Sequence, residues 1–283
     1  YDVLARQLNV SHVFPDPATG KFDYQGRKGV KTTHEAMLGE ELIPADTTAV
    51  FVDAFTWHPT LPLGAILIRR LGCCCIVDTR TWEPLALLST GKGSPDNFQL
   101  VKQQGDTWTF SVPAVVTPMH ESGFLTNGEY FLACNNVLEN LVTVYQSTDP
   151  NPNKWKKTHF VEGFGNMYMP MHTGNVPDSR WACLTLWARK PNNGFVCKID
   201  TKTWKVVAKW DIGPDPHTVD CTVDGKYMTA VYSGHQAGQS GLVVINCHTD
   251  KIEARIPSPS GHHDHVVVPR DWEGMKTSRS TSV

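Results

Sequence analysis

The chain repeats itself, and that repeat restricts the fold more than any composition value does. Ile76-Val77-Asp78-Thr79-Arg80-Thr81-Trp82 returns as Lys198-Ile199-Asp200-Thr201-Lys202-Thr203-Trp204, and an apolar run follows each tryptophan, Leu85 to Leu88 and Val206 to Trp210. A degenerate copy spans Val244 to Ile252 with Asn246 where Asp200 stands, and another starts at Val142 to Gln146 with a longer Pro/Asn turn before Trp155. Each copy reads strand, Asp-Thr-Lys-type turn, strand, a hairpin whose turn residues satisfy their own backbone.

A second element precedes each hairpin. His217 through Asp224-Gly225-Lys226-Tyr227 matches His120 through Asn127-Gly128-Glu129-Tyr130 with equal His-to-Gly spacing, and His172 through Ser179-Arg180-Trp181 is a looser version. Four strands in a unit of roughly 40 to 55 residues predict the blade of a β-propeller, in which sheets pack face to face around a central channel.

The predicted fold class is therefore all-β, a propeller with a histidine-lined channel. Residues 51–283 read as propeller blades, and residues 1–50 as an irregular N-terminal segment or a divergent blade. Five blades can be placed from about residue 50 onward, against about six or seven in a closed propeller, so either the N-terminal stretch supplies irregular blades or the chain is part of a longer one. A start at Tyr1 without an initiator Met reads as processing or truncation.

Composition agrees with this class. Of 283 residues, 40% are hydrophobic and 19% charged, and 22 Gly, 19 Pro and nine Trp accompany short strand-like runs. The best helix candidate, Thr33 to Leu42, is interrupted by Gly39. A net charge of −2 without a basic stripe gives no reason to expect a nucleic-acid or anionic-membrane partner, and no apolar run is long enough for a membrane span. Eight cysteines lack zinc-type spacing and sit in strand-like runs, which makes them buried free thiols.

The histidines fall at one place in the repeat. Pro118-Met119-His120 and Pro170-Met171-His172 are near-identical, Asp215-Pro216-His217 follows, and His263 stands in Gly261-His262-His263-Asp264-His265. Asp200 to His217 and Asn246 to His263 have equal spacing. The position is expected to precede the innermost strand of each blade, so imidazoles from consecutive blades converge at the channel. Imidazole-only ligation favours copper, with zinc or iron as alternatives. His58, in Trp57-His58-Pro59, is a candidate ligand from the preceding blade, and Glu121 is a carboxylate next to His120. The competing reading is that these are loop histidines copied by repeat duplication.

The Asp-Thr-Lys/Arg-Thr-Trp hairpins and the His217 to Tyr227 strand pair resemble the YVTN-type seven-bladed propellers. With the channel histidines, the chain is similar to their copper branch, which includes thiocyanate dehydrogenase and, more distantly, the N-terminal propeller of nitrous oxide reductase. The resemblance covers roughly residues 55 to 283. It implies two or three copper ions, with His120, His172 and His263 as ligands and His217 on copper or in acid–base work beside it; His58 as a further ligand and Glu121 as a further base are expected from their positions alone, without a matched motif. It also implies oxidation of a small anion, thiocyanate to cyanate and sulfur, electrons passing to an external acceptor such as a c-type cytochrome. The implied setting is the periplasm, and a homodimer is compatible with it. The rival from another class is a non-catalytic periplasmic YVTN-like scaffold or binding protein, since one fold serves both uses.

Overall fold

The computed structural model describes residues 52–258 apart from short internal stretches, together with residues 265 and 267. The expected helix at Thr33 to Leu42 and the whole 1–50 segment lie outside the described residues.

Strand-forming runs pair with their neighbours in sequence order. The first sheet holds β1 (Val52–Trp57), β2 (Leu63–Ile68), β3 (Cys73–Asp78) and β4 (Pro84–Ser89). The second is β7 (Met119–Phe124), β8 (Tyr130–Asn135), β9 (Leu141–Gln146) and β10 (Lys156–Val161), the third β11 (Tyr168–Gly174) to β14 (Lys205–Gly213) through β12 (Trp181–Ala188) and β13 (Gly194–Asp200). The fourth is β15 (Val219–Cys221), β16 (Tyr227–Tyr232), β17 (Ser240–Asn246) and β18 (Lys251–Ser258). All pairs are antiparallel. A hairpin of β5 (Asn97–Gln104) and β6 (Thr107–Ser111) extends the first sheet through two pairs, Leu87↔Phe98 and Leu88↔Asn97.

Burial explains the strand order. β2 is buried along its whole length and β3 and β9 nearly so, whereas β10 and β18 are mostly exposed. Middle strands covered on both faces and open outer strands require sheets stacked face to face. Three apolar clusters fill the junctions. Leu63, Leu67, Ile76 and Leu88 of the first sheet meet Phe124, Phe131 and Tyr145 of the second. Leu132, Cys134 and Val144 then meet Leu184 and Ile199 of the third, and Cys183 and Val196 meet Met228, Ala230 and Val243 of the fourth. Alternate residues of one strand thus serve two cores: Phe131 and Ala133 face backward, Leu132 and Cys134 forward. The first strands touch in turn, β1 with β7, β7 with β11, and β11 with β15. This is the radial arrangement of a β-propeller. The described residues hold four blades, where five were expected between residue 50 and the end of the chain.

The repeated turns take the expected form. Asp200 Oδ1 accepts from the Lys202 and Thr203 N–H groups at 2.7 and 2.9 Å, and Asn246 Oδ1 does the same for His248 and Thr249 at 3.0 and 3.1 Å. Trp82, Trp204 and Asp250 close these turns at φ 62, 54 and 56, donating N–H to Asp78, Asp200 and Asn246. Left-handed φ in a non-glycine residue costs ~1–2 kcal/mol. At Trp204 that cost is offset by packing of the buried indole in the core between blades two and three. All eight cysteines are free and buried, as expected from their strand positions.

Candidate metal site on the inner strands

Ladder register gives each histidine a coordinate. The third residue after the start of each second strand, Ile66, Ala133, Leu184 and Ala230, faces Phe55, Ser122, Thr173 and Val219 on the first strands. Two residues before these facing positions stand Asp53, His120, Met171 and His217, and one residue before stand Ala54, Glu121, His172 and Thr218. His120 and His217 therefore share a level, and His172 lies one residue later. Its shorter spacing to Ser179 already carried that offset in the sequence.

β1, β7 and β11 each break their ladder between Val52 and Phe55, Met119 and Ser122, and Pro170 and Thr173. A bulge sets two residues against one, so a one-residue offset there does not impose the face reversal of a regular strand. Among the described residues, His120 and His172 lie within the first strands β7 and β11, and His217 precedes β15. The expectation that all would lie ahead of the strand is corrected accordingly. The side chains of His120 and His172, and the whole of His263, lie outside the described residues.

His217 is buried at the junction of blades three and four. Its ring centroid is 5.8 Å from that of Trp187, its N–H donates to the Val231 carbonyl at 3.0 Å, and its carbonyl accepts from Thr185 Oγ1 at 2.6 Å. Glu121 is half-buried, and its charge helps raise the Cys74 and Cys134 thiols, which burial raises most.

His58 has a different position from the one expected. It follows β1, in the turn to β2, where it corresponds to Leu125 and Thr222, since all three donate N–H across the same turn. Its Nε2–H donates to the Ser147 carbonyl at 3.1 Å, while Nδ1 accepts from the Thr60 and Leu61 N–H groups at 3.2 and 3.0 Å. The ring packs on Phe124 and Trp155 at 4.8 and 6.2 Å. Burial lowers its pKa below the ordinary value. Both ring nitrogens are committed to backbone, so the geometry makes His58 a turn clamp and removes it from the ligand set.

His265 was not singled out in the sequence. Thr218 Oγ1 lies 2.9 Å from its Nδ1 and Thr229 Oγ1 2.7 Å from its Nε2, and the Val267 N–H donates to Asp220 Oδ2 at 3.1 Å. His265 and Val267 thus lie against β15 and β16. The signal was available: His265 lies two residues after His263 in the repeat. Among the described residues, no three His, Cys, Asp or Glu side chains gather closely enough to hold an ion.

No family model matches the sequence, and no curated protein matches it. Among solved structures, the chain is similar to hydrazine synthase of Kuenenia stuttgartiensis, with 15% identity over 76% of this chain and 70% of that one, at a TM-score of 0.44. It is also similar to the dihydro-heme d1 dehydrogenase NirN in complex with DHE, with 14% identity, 75% of this chain covered and a TM-score of 0.47. The chain spans 39% of the length of that protein. The assignment of a propeller rests on the blade packing described above.

Proposed function

We propose that the protein is a copper-dependent oxidoreductase of a small anion, with thiocyanate as the first substrate to test. The reading rests on one observation: His120 and His217 share a ladder level on β7 and the approach to β15, and β11 between them carries His172 one residue away. With His263 at the matching sequence position, these residues would supply an imidazole-only donor set, which suits copper. Copper, when bound, would supply Lewis acidity and a sink for electrons that leave to an external acceptor such as a c-type cytochrome.

The chain's own contribution would be geometric and protonic. His217 is buried, and Glu121, next to His120 in the sequence, would be the carboxylate that takes a proton from an attacking water. The periplasm is the proposed setting.

Elemental analysis of the purified protein beside His172→Ala and His263→Ala tests the reading. Two or three copper ions per chain, lost in the variants, support it and make thiocyanate-dependent acceptor reduction the next assay. An absence of stoichiometric metal overturns it. The second reading, a binding scaffold, is favoured by His58 and His265, whose ring nitrogens join chain segments.

A further inference from the structure

At the outer rim between blades one and two, the loop after β4 wraps a single ammonium group. Lys157 Nζ, on β10, lies 2.8 Å from Ser89 Oγ, 3.0 Å from the Gly91 carbonyl, 2.9 Å from the Ser94 carbonyl, 2.8 Å from Ser94 Oγ and 2.9 Å from the Pro95 carbonyl. An ammonium has three protons to donate. Five oxygens at nearly equal distance therefore form a coordination shell more than a set of one-to-one hydrogen bonds. Neutral oxygens that replace a hydration shell are also how proteins hold potassium, whose size is close to that of ammonium.

The shell is braced by bonds that do not involve the lysine. Ser94 Oγ reaches the Thr90 and Gly91 carbonyls at 2.9 and 3.1 Å, Thr90 Oγ1 donates to Gly72 at 2.6 Å, and the Gly91 N–H donates to Thr143 Oγ1 at 3.1 Å. The Tyr145 hydroxyl is shared between the Ser89 and Asp96 carbonyls. Asp96 adds negative charge at the edge, accepting the Lys157 N–H at 3.1 Å and lying 3.2 Å from Lys156 Nζ.

We infer that residues 89–95 form a monovalent-cation site of the potassium or ammonium class, in which the Lys157 ammonium is a tethered occupant. A free cation of that size takes the place of the side chain when the side chain is removed, and restores the junction between the two blades.

The test is thermal unfolding of Lys157→Ala in potassium, ammonium, lithium and choline chlorides at equal ionic strength, beside the unsubstituted chain. The variant is expected to unfold at a lower temperature in choline and lithium and to recover in potassium and ammonium. Salt tenfold above the dissociation constant shifts its unfolding equilibrium about tenfold. The unsubstituted chain, with its site filled, is expected to show no such preference. One midpoint for the variant in all four salts overturns the inference, as does an equal cation preference in the unsubstituted chain. If Lys157→Ala folds in none of them, Lys157→Gln carries the same comparison, and a flat response from it overturns the inference.

Discussion

The Nε2–H of His58 donates to the Ser147 carbonyl at 3.1 Å, tying the first turn of blade one to the end of β9 in blade two. The same imidazole accepts two backbone N–H groups of its own turn, so the neighbours fix a neutral ring protonated on Nε2. Its loss leaves three backbone groups without their partner and a gap against Phe124 and Trp155. His58→Ala is expected to cost ~2–4 kcal/mol, read from the denaturant midpoint at constant slope.

The same residue gives stability a pH dependence. Its folded pKa is lowered from 6.5, so as pH falls the unfolded chain takes up the proton first. Its contribution is full above 6.5 and is lost as pH falls through the window between 6.5 and the lower folded value. Unfolding free energy measured across that window should rise with pH in the unsubstituted chain, with a smaller slope in His58→Gln.

Gly128 and Gly93 separate backbone strain from crowding. Both have left-handed φ, +74 and +76, but a Cβ on Gly128 would lie 2.6 Å from His58 Cε1, whereas nothing stands within 4 Å of one on Gly93. Gly93→Ala should cost ~1–2 kcal/mol, the backbone cost alone. Gly128→Ala should cost ~3 kcal/mol or more, because the clamp must also shift. Equal costs in a denaturation series would remove crowding as the cause.

The Asp200 and Asn246 turns are interchangeable by geometry. Asp200→Asn should therefore leave the midpoint near the original at neutral pH, while Asp200→Ala should lower it, since two N–H groups lose their acceptor. Hydrogen bonds from these groups lower the Asp200 pKa, so its contribution is present above the ordinary carboxylate value and fades as pH falls below it.

Burial makes the thiols inert. It pushes Cys75 and Cys197 up to about 12 and raises Cys73 and Cys134 well above the ordinary value. A thiol reagent should find none of the eight cysteines in the native protein and all eight after denaturation.

The hairpin repeats determined the all-β class and the four strands of each unit, because Asp78, Asp200 and Asn246 shape their turns from local hydrogen bonds alone. Strand membership and the buried state of the cysteines were likewise local, since alternation and β-branched content act over a few residues. The site was less legible. Histidine recurrence marked one place in the repeat, but the ladder decided that His120 and His217 share a level and that His172 is offset, because a bulge changes register without changing composition. His58 read as a ligand because its sequence says nothing about Ser147, 89 residues away, whose carbonyl claims its Nε2–H. Likewise, no local pattern marks Lys157 as the cation held by residues 89–95. Bonds that close across blades depend on how sheets stack, and that is a property of the tertiary structure alone.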